Sequence, residues 1–348
     1  MKRTTVIIAT IVAIALVATS CKHGEGNIVN EKQVQVIEQY VDHTIAPTYT
    51  NLANYTDQLV NELTAFRASH SQGDLNKACE TFLAARAWWE KSEAFLFGAA
   101  SDFGIDPHID SWPLDVAAFN TMMSNTAQIQ AMDSEDGDVY AGEQLGNALL
   151  GFHGIEYILF NNGQVKNASE ISDLEMIYAI AVAGDLRNRC FQLEVSWIGD
   201  KAAQSHRDKV EELELNSTVN GGSYSYGDNL KKAGNPGSTY ASSVSGLMAI
   251  VDGCKTIADE VGTSKIGKPY NGEDPNYIES PYSQKSINDF YDNILSIRTP
   301  TTAASKVSAT TSSPCTPTSR RWTTNSTTKS KRPSIPPSPR STPCRVPS

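Results

Sequence analysis

The chain is short of several features that would have placed it in a class at once. Its six cysteines are scattered through 348 residues with no CxxC spacing and no dense framework, which argues against a disulfide scaffold or a thiolate zinc site. HExxH is missing, and HxxEH is missing too because Tyr157 follows Glu156, so neither spacing that marks the common zinc proteases occurs. No histidine follows His206, which leaves Ser280, Ser283 and Ser286 without a local base for a serine triad. Capping of the next helix explains Ser283 better, with Ser286 too deep in that helix for the role. Basic residues are outnumbered, 29 to 39, which argues against nucleic acid as a partner and gives no cationic surface for anionic lipid. Within the body the deficit is deeper, because residues 298–348 contain no acidic residue at all. Alternating strand patterns are nearly absent, and no apolar run is long enough to span a bilayer.

What is present begins with an address. Met1-Lys2-Arg3 is basic, Val6 to Ala18 is an apolar run of signal length, and Ala18-Thr19-Ser20-Cys21 resembles the bacterial lipobox. This pattern predicts export, cleavage and lipidation at Cys21. The mature protein, roughly 325 residues, is then tethered to the cell envelope, at the outer membrane on its periplasmic or surface face. Residues 22–30 serve as a polar leash, and the lipid anchor is the only membrane contact.

The body reads as helix after helix. From Glu31 to about Ser69 apolar residues recur at three- and four-residue steps, with Pro47 as a kink or break. Asp74 to Phe97 repeats the pattern, with Asp74 as N-cap and Gly98 as stop. Further helical segments are expected near 113–124, 140–160, 170–197, 200–215, 238–261 and 283–297, with loops at 216–237 and 262–281. The fold class is all-α. A linker at Asn161-Asn162-Gly163-Gln164 suggests two helical bundles, residues 31–162 and 163–297, followed by a disordered tail over 298–348.

The tail carries a second message. Codons permitted for Arg298 to Lys306, read two nucleotides later, give His-Ala-Tyr-Tyr-Gly-Gly-Val-Glu. From Pro317-Thr318 the same frame permits Tyr-Leu-Gln-Ala-Val-Asp-Asp-Glu-Leu-Asp-Asp-Glu-Val-Lys-Ala-Ala-Ile, an acidic amphipathic helix. The printed tail is therefore read as a frameshift product starting near Ile297.

Chemistry concentrates in two stretches. In "GFHGIEYILF", His153 and Glu156 lie three residues apart inside an apolar helical run, on one helix face. The pair either caps a polar pocket or supplies two ligands of a metal site. In "RAWWEKSEAFLFGAASDFGIDPHIDSWPLD", Glu90 and Glu93 repeat the three-residue spacing beside Trp88 and Trp89, and Asp102, Asp106, His108, Asp110 and Asp115 follow. Each acid alone is explained by solvation, capping or pairing with Arg86. Together with His153 they would form a nitrogen and oxygen shell suited to iron, zinc or copper.

The blocks "RAWWEKSEAFLFG", "GIDPHIDSWPLD", "GFHGIEYILF", "IADEVGTSKI" and "ESPYSQKSINDFYDNI" resemble the imelysin family, also called peptidase family M75, whose signature GxHxxE matches Gly151 to Glu156. The resemblance spans residues 31–297. It implies paired helical bundles, a cell-envelope location and an association with iron uptake and iron-transport components. It also implies metal binding by an ExxE pair, an aspartate and the histidine, which match Glu90, Glu93, Asp110 and His153, with Glu156 completing the motif. Enzymatic activity is open, because HxxE alone does not make a catalytic zinc constellation. The expected function is binding of a metal ion, iron first, or a small ligand in connection with iron uptake. The alternatives are an M75-type metallopeptidase and a structural or carbohydrate- or protein-binding surface lipoprotein.

Overall fold

The computed structural model describes residues 25–310; the signal segment, Cys21 and residues 311–348 lie outside the described residues. Helix α1 (Glu25–Tyr40) runs through a π-helical turn, Val41–Ile45, into α2 (Ala46–Ser69). Pro47 sits at the start of α2, where a missing N–H is least costly, so the expected break is a change of helix type rather than an interruption. His70 in the left-handed region ends α2, and Ser71 opens α3 (Gln72–Glu90) by accepting a hydrogen bond from the Asp74 amide at 3.1 Å. The N-cap is thus Ser71; Asp74 accepts from the Ser69 and Ser71 hydroxyls instead.

Helix α3 stops at Glu90, short of the expected Phe97, and a 3-10 turn over Glu93–Phe95 follows. Short helices α4 (Ala99–Asp102), α5 (Ile105–Ile109), α6 (Val116–Met123), α7 (Thr126–Met132) and α8 (Gly137–Gln144) lead to α9 (Gly151–Leu159). A two-residue hairpin, β1 (Phe160–Asn161) and β2 (Gln164–Val165), turns on Asn162 and Gly163, both at positive φ as such a tight turn requires. It is the only sheet among the described residues.

Helix α10 (Asp173–Ile198) is the central strut. A Ser172–Glu175 capping box starts it and Gly199 ends it, and it is buried along most of its length against α2, α8 and α9. Helices α11 (Gln204–Glu212), α12 (Tyr226–Lys231), α13 (Ser243–Glu260), α14 (Gly267–Asn271) and α15 (Ser286–Thr310) complete the chain, with a second π-helical turn at Val261–Lys265. Helix α15 passes the Ile297 boundary expected for the folded body and continues to Thr310.

The all-α class holds. The hairpin lies where the two bundles were expected to meet, and side chains from both sides of it share one continuous core, from Tyr40 and Trp89 to Trp197 and Ile257. No helix among the described residues is long and apolar enough to cross a membrane.

Candidate metal centre

Two glycines explain how α9 comes to carry ionisable groups into the core. Gly151 has φ +66°, and a Cβ there would lie 1.8 Å from the Ile109 carbonyl oxygen. At Gly154 a Cβ would lie 2.2 Å from the Tyr178 hydroxyl, which donates to the Leu149 carbonyl at 2.6 Å. Only glycine permits both approaches. With the start of α9 pressed on Ile109, the next residue, Asp110, meets His153: the imidazole Nε2 and Asp110 Oδ1 are 2.9 Å apart.

The network spreads from this pair. His153 Nδ1 lies 3.6 Å from Glu156 Oε2, while Glu156 Oε1 accepts from the Ser283 amide at 2.8 Å and its hydroxyl at 2.6 Å. Asp110 Oδ2 accepts from the Trp89 indole at 2.7 Å. Arg86, one helical turn before Glu90 on α3, pairs through Nη1 with Asp110 and through Nη2 with Glu90 Oε1 at 2.5 Å and Glu279 Oε1 at 2.9 Å. Lys265, delivered by the second π-helical turn, reaches Glu279 at 3.0 Å and Asn293 at 3.1 Å. Asn293 in turn donates to Glu90 at 2.5 Å, and Ser280 to Asp289 at 2.6 Å.

These groups are cut off from water, and their protonation follows. Burial pushes the Glu90 carboxyl well up against the pull of Arg86, and does the same to Glu93 against Lys265. Burial raises Asp106 and Asp289 to about 6, each with neighbouring carboxylates adding to it. Asp110 goes the other way: burial would raise it, but Arg86 and the His153 hydrogen bond hold it well below the usual carboxylate range. For His153, burial would lower the imidazole, and the hydrogen bond to Asp110 together with the nearby Glu156 carboxylate raises it instead.

Of the residues singled out in the sequence, the structure brings Glu90, Asp110, His153 and Glu156 into one buried network. Glu93 stands apart. Because α3 ends at Glu90, Glu93 is not on the same helix face, and among the described residues it makes no ion pair or side-chain hydrogen bond, although it feels Lys265, Asp110, Asp106 and Glu279. Asp102 accepts from Tyr226, His108 pairs with Asp185 and Asp115 caps α6, so these serve the scaffold. The sequence reading missed Glu279, Lys265 and Asn293 as partners, and Ser283 is a ligand of Glu156 rather than a helix cap. The signal for them was the blocks around residues 257–266 and 279–294, recognised as motif but not connected to the cluster.

The donors fit a metal in kind. Oxygens of Glu90, Asp110 and Glu279 approach one another within 4.8 Å, and Glu156 Oε2 and Glu279 Oε2 are buried without a hydrogen-bond partner. The competitor is internal, since the Arg86 guanidinium already touches all three carboxylates of that trio.

A family model described as Imelysin (Peptidase M75) matches residues 45–304, 260 of the 348 residues. The chain is 25% identical over 280 residues to iron-regulated protein A of Synechococcus elongatus, covering 80% of this chain and 66% of that protein, just under two thirds of its length. A crystal structure of an iron-regulated protein A precursor from Parabacteroides distasonis is similar with a TM-score of 0.58 and 27% identity, over 77% of this chain and 73% of that one.

Proposed function

This chain belongs to the imelysin family, and from that premise we propose that it is a lipid-anchored envelope protein serving iron acquisition by binding a metal cation, iron foremost, at the acid-rich cluster around Arg86. The observation that carries the reading is an imbalance of charge. Glu90, Glu93, Asp106, Asp110, Glu156, Glu279 and Asp289 share this region with only two fixed cations, Arg86 and Lys265. Glu90, Glu156, Glu279 and Asp289 are buried and the other three partly so; carboxylates crowded in this way are costly to ionise, and either protons or a further cation relieves that cost. A set of carboxylate oxygens suits iron, with zinc or copper as competitors. Glu90, Asp110 and Glu279 would hold the ion, His153 would fix Asp110, and Glu156 with Ser283 would fix His153. Affinity is then set by how far Arg86 yields. Support comes from the relatives, whose names describe them as iron-regulated.

Arg86 also favours a second reading. A trio already closed by a guanidinium is a permanent fastening, and the protein's role would then lie in small-ligand, carbohydrate or protein binding at its surface, iron-transport components included. A metallopeptidase has less support: zinc hydrolysis needs about three ligands, an open position and a general base, and the one imidazole of the cluster is engaged by Asp110 and Glu156.

The test is the metal content of the purified mature protein, followed by titration with iron, zinc and copper. Stoichiometric tight binding that is lost in Glu279→Gln and in the His153→Ala, Glu93→Ala double variant, with helix content intact, supports the metal reading. Undiminished binding in the variants puts the site elsewhere, and a parent that binds none of the three favours the second reading. Cleavage of a peptide library by the loaded protein would identify a peptidase.

A further inference from the structure

Helix α15 turns polar side chains inward beside Phe290 and leaves large apolar ones outside. Its buried positions up to Arg298 include Asp289, Asn293 and Ser296, which are spent on Ser280, Glu90, Lys265 and the Ala94 amide. Outward it carries Asn288 and Arg298 and also an apolar stripe: Ile287 is 74% exposed, Tyr291 68% and Ile294 47%, spaced by four and three residues along one face. An ordinary surface helix shows the opposite arrangement. Among the described residues the large exposed apolar side chains sit late in the fold: apart from Leu174, they are Val244, Met248, Ile266, Tyr270, Ile278 and the three on α15. A helix of this kind needs a cover on its outer face.

The printed continuation cannot provide one, since residues 311–348 hold only Trp322, Ile335 and Val346 as large apolar side chains. The alternative frame can. Reading two nucleotides later, each codon combines the last base of one residue with the first two of the next. A serine of the TCN set then always yields Phe, Leu, Ile or Val, and tryptophan always yields Leu, Met or Val. With its serines read as TCN, the tail places such residues at Ser319, Trp322, Ser326, Ser330 and Ser334. Their spacing of three, four, four and four is one face of an α-helix, whatever bases fill the remaining wobble positions. Threonine, lysine, asparagine, arginine and proline fill every position between them, and in this frame none of these is forced to be apolar.

We propose that the outer face of α15, centred on Ile287, Tyr291 and Ile294, is the seat of an amphipathic helix encoded by codons 318–334 in that alternative frame. The helix spans about 25 Å at 1.5 Å per residue, more than the stripe it covers. The Gly-Gly that the same frame permits shortly after Ile297 gives α15 an end and lets the chain turn back.

The experiment compares the printed chain with one re-encoded to follow the alternative frame after Ile297, each with and without Ile294→Asp and, separately, Tyr291→Lys. In the printed chain both substitutions fall on solvent and Tm moves by about 1 °C or less. In the re-encoded chain they fall under the helix and lower Tm by on the order of 5 °C, and binding of a hydrophobic dye drops relative to the printed chain. A synthetic peptide of the alternative-frame helix, added to the printed chain, should suppress the same dye signal. Equal Tm shifts in the two chains overturn the proposal. So does a printed-chain dimer that Ile294→Asp dissociates, which makes a second copy the occupant. Cosedimentation of the re-encoded chain with phosphatidylcholine vesicles, lost on Ile294→Asp, overturns it in favour of a lipid surface.

Discussion

Replacing Arg86 by methionine removes the charge at the centre of the network and little of the volume. Its side chain is 4% exposed and touches Glu90, Asp110 and Glu279, so three carboxylates lose their shared partner at once. Breaking a buried pair from one side costs about 3–5 kcal/mol, and in a chain of this size that lowers Tm by on the order of 10 °C. The pH dependence follows from the directions of the shifts. In the parent, Asp110 is held below its unfolded value, so its contribution is present above that value and is lost as pH falls through the folded one. Without Arg86 the Asp110 carboxyl rises, joining Glu90, and its ionisation at neutral pH becomes a penalty that acid relieves. The deficit of Arg86→Met is therefore widest near pH 7.5 and narrows toward pH 5. Calorimetry in the presence of a chelator reads this directly. Adding iron or zinc to the variant at pH 7.5 should recover part of the loss, because an external cation then meets the trio without a competitor. A variant that melts with the parent at pH 7.5, or a deficit that stays constant down to pH 5, would refute the view that the guanidinium neutralises this cluster.

Gly151→Ala forces a Cβ into the Ile109 carbonyl at a left-handed φ and should cost several kcal/mol; a Tm within 2 °C of the parent on a thermal scan would contradict the tight approach of α9. Ser283→Ala removes the hydroxyl donor of Glu156 while the amide remains, so a loss of about 1–3 kcal/mol is expected in denaturant melts at pH 7.5, with no change in helix content. Ser71→Ala removes the α3 cap at a distance from the cluster; about 1 kcal/mol of stability should go, and metal titration should be unchanged.

Helical periodicity was enough to read the class, and the three-residue step was enough to pair His153 with Glu156, because both are local properties of a helix. Asp110 was legible as one acid in a crowded loop, but what selects it over Asp106 or Asp115 is the contact of Gly151 with Ile109, which no local pattern announces. Glu93 was read onto the face of Glu90 because apolar residues continue past it; the helix ends first, since Ser92 turns back to the Trp89 carbonyl. Lys265 and Glu279 reach the centre through a π-helical turn and an irregular segment, neither of which leaves a periodic trace. The inverted polarity of α15 was invisible for a different reason: its inward polar residues make sense only once the cluster they serve is known.

The partners of the buried network are far apart in the order of synthesis. Arg86 meets Glu279 across 193 residues, Glu156 meets Ser283 across 127, and Glu90 meets Asn293 across 203. Until residues 265–296 dock, the early half of the network has no counterpart. During that interval Arg86, Glu90 and Asp110 can be hydrated but not buried, so the segment around them cannot close prematurely on its own apolar surface. Long-range closure of this kind slows folding. It also makes the arrival of residues 265–296 the event that commits the body to its native packing.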